Sequence, residues 1–195
     1  MRPEALAPHV AGARRTSIGG DQRGPSTRVS RSFAFIDLCG FTDFADLRGD
    51  DAAVAELRVL RSGIREAAGA AGVRVDKWLG DGVMLVGVES QPLVTAVIAL
   101  QAHQEARGRL PLRGGIATGA VILLDGDDYV GRAVNLAARL CERAEPDQIL
   151  AAADDALTLP AGIHATLATS FHIKGFVRDV AVVALAPVAS APLAG

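Results

Sequence analysis

The chain has 195 residues, half of them hydrophobic, with 20 Lys plus Arg against 22 Asp plus Glu and a formal net charge of −2. That is one globular domain with room for its own core, and the near balance of charge excludes a protein held mainly by a basic phosphate-facing surface or by a polybasic membrane contact. No apolar run reaches the roughly 18 residues of a spanning helix. The N-terminus places charges and prolines where a secretory signal has its apolar segment. Cys39 and Cys141 are too few for a disulfide framework, and eight aromatic residues, six of them Phe beside Trp78 and Tyr129, supply no stacking platform for single-stranded nucleic acid. The expectation is a soluble, cytoplasmic protein with reduced thiols, no nucleic-acid partner and no membrane segment.

Residues 1–31 are rich in Arg, Gly, Pro and Ser without apolar periodicity, with six arginines opposed only by Glu4 and Asp21; they read as a flexible leader. Phe33, Phe35 and Ile36 form a buried strand that opens at Asp37 and Gly40 into a loop. From Asp43 to about Ala70, Leu47, Val54, Leu57, Leu60, Ile64 and Ala68 recur at helical steps, with an interruption expected near Gly49. Two strands, Val73 to Leu79 and Val83 to Val88, are joined by a tight turn at Gly80-Asp81-Gly82. Leu93 to Arg107 returns to helical spacing, Leu112 to Leu124 reads as more strand, and Arg132 to Ala144 as a helix that starts after Gly131 and ends before Pro146. The order β, α, β, β, α, β predicts an α+β, ferredoxin-like core with C-terminal additions over 32–187. Residues 188–195 read as a flexible tail.

Two constellations carry chemistry. Asp37 closes the first strand and Asp81 sits in the hairpin turn. In a split βαβ arrangement these two elements are neighbours, so the carboxylates converge at one sheet edge as hard oxygen donors for Mg²⁺ or Mn²⁺. The glycine-containing loop after Asp37 can aim backbone N–H groups at a phosphate. Asp81 alone is also what an ordinary Asp-Gly turn looks like, whereas an acid that ends an apolar strand requires a partner. In the second constellation Asn135 and Arg139 stand at i and i+4 on one stripe of the last helix, a pairing able to hold a phosphate that gains negative charge. A solvated helix face fits that spacing as well.

Four segments resemble, in order, the successive motifs of class III adenylyl and guanylyl cyclase catalytic domains: Phe33-Ala34-Phe35-Ile36-Asp37-Leu38-Cys39-Gly40-Phe41-Thr42, Lys77-Trp78-Leu79-Gly80-Asp81-Gly82, Gly131-Arg132-Ala133-Val134-Asn135-Leu136-Ala137-Ala138-Arg139-Leu140 and Ile173-Lys174-Gly175-Phe176. The resemblance implies an adenylyl cyclase that converts ATP to cyclic AMP and pyrophosphate with two divalent cations. It implies Asp37 and Asp81 as metal ligands, Asn135 and Arg139 as the transition-state pair, and Lys174 with the Cys39, Gly40, Phe41 and Thr42 loop on the triphosphate. Lys77 and Asp128 fall at the purine-selecting positions, with Asp127 as a competitor for the second. A head-to-tail homodimer is implied too, each site drawing Asp37 and Asp81 from one protomer and Lys77, Asp128, Asn135 and Arg139 from the other. The alternative is a degenerate cyclase-like domain that binds nucleotide or a partner without turnover. A palm-type polymerase or diguanylate cyclase predicts a Gly-Gly-acidic hairpin, where this chain has Leu79-Gly80-Asp81-Gly82.

Overall fold

The computed structural model describes residues 27–188 apart from 127, 155 and 167. The first strand, β1 (Arg28–Leu38), sends its side chains alternately into two cores: Ala34, Ile36 and Leu38 enter one and Phe33 the other, so its second half is buried on both faces. Helices α1 (Phe41–Arg48) and α2 (Asp50–Ala71) follow, broken at Gly49, where φ is 81°. Next come β2 (Arg74–Leu79), β3 (Gly82–Gly87), α3 (Ser90–Ala106), β4 (Leu112–Leu124), the three-residue β5 (Asp128–Val130) and α4 (Arg132–Arg143). The chain ends in β6 (Gln148–Ala152), β7 (Ile163–Ala165), β8 (Thr169–Phe171) and β9 (Val180–Pro187).

The sheet runs β2-β3-β1-β4-β6-β9-β7, with β5 paired to β4 and β8 to β9. Its first four strands have the antiparallel βαββαβ arrangement expected from the sequence. The helices α2 and α3 supply Leu60, Ile64, Leu93, Val97 and Leu100 to the core on one face. On the other face α4 inserts Leu136, Ala137 and Leu140 against Phe33, Ala117 and Val121. This helix lies so close to β4 that a Cβ at Gly115 would stand 2.2 Å from the Ala137 carbonyl oxygen and 2.2 Å from the Cys141 nitrogen. Only glycine permits that approach.

β1 begins inside the segment expected to be leader. Arg28, Val29, Ser30 and Arg31 pair with Ile122, Val121, Ala120 and Gly119 of β4, and this long-range ladder overrides their polar composition. Residues 1–26 of the expected leader and 189–195 of the expected tail lie outside the described residues, while the Val188 amide donates to the Gly162 carbonyl at 2.7 Å. No helix among the described residues is long and apolar enough to cross a membrane.

Candidate active site

Asp37 stands one residue from the end of β1, directly opposite Arg113 of β4. Its Oδ2 accepts from Arg113 Nε at 3.0 Å and Nη2 at 2.5 Å. The other oxygen faces the β2–β3 hairpin, where a Cβ on Gly82 would come within 3.2 Å of it. Asp81 occupies the turn just before Gly82. Burial pushes its carboxyl up from the usual carboxylate range, against its own backbone hydrogen bond, and the Asp37 charge adds to the rise. The two acids therefore feel each other, as the strand-end and hairpin placement requires. The hydrogen bonds that Arg113 donates to Asp37 push its guanidinium further above its ordinary value.

Two carboxylates that repel each other in a half-buried corner are a donor set of the kind that suits a hard cation. Two protein oxygens suffice for Mg²⁺, which keeps waters and takes its remaining ligands from phosphates. Among the described residues no group of three or more His, Cys, Asp or Glu side chains is arranged for a metal. The loop leaving this corner passes Cys39, Gly40 at φ 72°, Phe41 and Thr42 into α1. The first-turn amides of α1 have no intrahelical acceptor. Burial raises the Cys39 thiol above its usual value, and it pushes Cys141 up to about 12.

A second group lies on the α4 face. Asn135, Arg139 and Lys174 line one cleft of about 740 Å³ together with Arg132, Glu142 and Arg178. The α4 periodicity explains it: Leu136, Ala137 and Leu140 are buried, which turns Asn135 and Arg139 outward. Four cationic side chains face one carboxylate in the cleft, a balance that attracts a polyanion. Arg139 Nη1 donates to both oxygens of Glu142, at 2.9 and 2.6 Å. A third group joins Lys77 to Asp128: the ammonium donates to Asp128 Oδ1, and this bond holds the Asp128 carboxyl below its usual range. Asp127 lies outside the described residues.

The structure thus brings Asp37 to Asp81, Lys77 to Asp128, and Asn135 to Arg139 and Lys174. No hydrogen bond or ion pair among the described residues links the Asp37/Asp81 corner to Asn135 or Arg139.

No known family profile matches the chain. An uncharacterized protein of Mycobacterium tuberculosis is 38% identical over 146 residues, 74% of this chain and 38% of that protein. An adenylate cyclase of Glutamicibacter nicotianae is 31% identical over 144 residues, 72% of this chain and 35% of the relative. The chain spans well under half the length of these curated relatives. Among solved structures, the adenylyl cyclase CyaB of P. aeruginosa superposes with a TM-score of 0.69 at 26% identity, covering 83% of this chain and 96% of that one. The chain is built on the class III nucleotidyl cyclase catalytic domain.

In this cyclase domain the sequence reading missed Arg113, the direct partner of Asp37. The available signal was a lone arginine in an otherwise apolar, glycine-rich strand. It also missed Arg132, Arg178 and Glu142 in the cationic cleft. Arg132 lies at 5.0 Å over the Phe176 ring, which ties α4 to the Lys174 segment.

Proposed function

We propose that the chain is an adenylyl cyclase, acting on ATP in a site completed by a second copy of itself. The observation that carries this is the convergence of Asn135, Arg139 and Lys174 on one cationic cleft. In the reaction the ribose 3′-oxygen bonds to the α-phosphorus, the bond from that phosphorus to the bridging β-phosphate oxygen breaks, and the hydroxyl proton is lost as pyrophosphate departs.

Asp37 and Asp81 would hold two divalent cations, which when bound favour the ionised 3′-oxygen and neutralise the triphosphate. Arg139 exchanges Glu142 for α-phosphate oxygens, one anionic partner for another, so its charge stays compensated throughout. Asn135 orients the ribose by hydrogen bonding. Lys174, with the amides that follow Gly40, holds the outer phosphates. Lys77 offers only donors and the ionised Asp128 only acceptors, which complements the ring nitrogen and exocyclic amine of adenine. The hairpin separates these roles: Lys77 stands opposite Met84, on the α4 face, whereas Asp81 lies at the turn beside Asp37. A single protomer therefore presents two halves of two different sites.

The purified chain incubated with ATP and Mn²⁺ yields cyclic AMP and pyrophosphate in equal amounts, read by chromatography, with GTP a poor substrate. Tight ATP binding without pyrophosphate release supports the other reading, a nucleotide-binding domain without turnover. The ion pairs of Asp37 with Arg113 and of Arg139 with Glu142 favour that reading.

The base assignment has its own expected result. Replacing Lys77 by Glu together with Asp128 by Cys lowers kcat/KM for ATP by about 100-fold, because purine edge atoms are left facing groups that cannot pair with them. Unchanged rates with both nucleotides in this double variant remove these residues from base reading.

A further inference from the structure

We infer that Arg74 and Tyr129 are positioning residues that fix the spacing of Lys77 and Asp128 and thereby set discrimination between purines. This rests on the proposed reading of Lys77 and Asp128 as the base-contacting pair. The two residues sit on strands that share no backbone pairing. β2 pairs with β3, and β5 pairs with β4, while β3 and β1 intervene in the sheet. β5 is three residues long, too short to hold its own position against a substrate. What joins it to β2 is side chains.

Arg74 lies over the Tyr129 ring at 5.5 Å and its Nη2 donates to the Tyr129 hydroxyl at 3.4 Å. The Tyr129 ring also meets Phe33, fully buried in β1, in an edge-on contact at 5.3 Å. Arg74 is held in turn by Asp76, whose side chain is 3% exposed. The line Phe33, Tyr129, Arg74, Asp76 runs beside the Asp128–Lys77 pair, one residue away on each strand.

The register of β2 supports a functional load on this arrangement. Val75 pairs with Leu85 and Lys77 with Met84, so Asp76 is the extra residue of a β-bulge. Without the bulge Lys77 would face the α2 side with Val75, since a one-residue slip reverses every side chain. The bulge places Lys77 on the same face as Arg74 and buries the Asp76 carboxylate, whose Oδ2 has no hydrogen-bond partner among the described residues. Burying a half-paired carboxylate is unfavourable, and it is retained where it clamps Arg74.

The test uses the full chain and measures kcat, KM for ATP, and the inhibition constant of GTP against ATP turnover. Arg74→Ala lowers the ratio of the GTP inhibition constant to the ATP KM by about tenfold, and Tyr129→Phe, which keeps the ring on Phe33, by about threefold. Saturated kcat changes little in both; the melting temperature holds in Tyr129→Phe and falls in Arg74→Ala, which leaves the Asp76 carboxylate without its guanidinium. Arg74→Lys keeps a charge on Asp76 but lacks the planar fork, and falls between wild type and Arg74→Ala. In a Lys77→Ala/Asp128→Ala background Arg74→Ala adds nothing. A fall in kcat for ATP with the ratio unchanged, or a further loss of discrimination in that background, overturns the brace. If Lys77→Ala/Asp128→Ala alone leaves the ratio at the wild-type value, the base assignment falls and takes the brace with it. If that variant shifts the ratio and neither Arg74→Ala nor Tyr129→Phe does, the brace alone falls.

Discussion

Asp37→Ala and Asp81→Ala each lower kcat by about a thousandfold or more, since each removes one of two anionic oxygen donors from a site whose chemistry depends on paired cations. The two variants differ in what they do to the fold. Asp37→Ala leaves Arg113, which is half-buried on β4, without its carboxylate; some stability is lost, and Asp37→Asn, whose amide oxygen still accepts from Arg113, restores it without restoring turnover. Asp81 has a folded-state carboxyl raised by burial and by the Asp37 charge. A carboxyl raised on folding costs stability once pH exceeds its unfolded value. At neutral pH Asp81→Ala therefore abolishes turnover while the melting temperature holds or rises. Binding of Mn²⁺ alone, followed by its paramagnetic resonance signal, weakens in both variants. Near-normal turnover of either variant at saturating Mg²⁺ removes Asp37 and Asp81 from the metal site.

Why Asp37 and Asp81 were legible in the sequence is local: Asp37 closes a short apolar run, and Asp81 sits in the Gly80-Asp81-Gly82 turn that breaks a strand of period-two alternation. The i, i+4 spacing put Asn135 and Arg139 on one stripe, which fits a solvated face as well, and their roles came from the resemblance; the apolar stripe expected at Val134, Ala138 and Cys141 lies instead at Ala133, Leu136, Ala137, Leu140 and Cys141. Gly49 marked the break between α1 and α2 for the same local reason. Arg113 was not legible, because its meaning comes from a ladder with β1 in which it stands opposite a residue 76 positions earlier. Arg28 to Arg31 were read as leader since their polar composition carries no strand signal; the ladder to β4 supplies it. The bulge at Asp76 leaves no trace in hydrophobic periodicity, and only the pairing of Lys77 with Met84 exposes it. Glu142 and Arg178 look like solvated surface until the cleft gathers them beside Arg139.

That each site is shared between two copies is the central claim, and mixing inactive variants tests it most directly. An Asp37→Ala homodimer and an Arg139→Ala homodimer are each inactive, because both of their equivalent sites carry one lesion. In a mixed twofold dimer one site collects both lesions and the other collects neither. With random equal exchange about half the dimers are mixed, each with one intact site of two, so roughly a quarter of wild-type activity returns. Mixing Asp37→Ala with Asp81→Ala restores nothing, since every site still lacks one acid. Recovery of about a quarter in the first mixture and none in the second is the result predicted. Recovery in the second, or none in the first after subunit exchange has been verified, contradicts the division of the site between protomers.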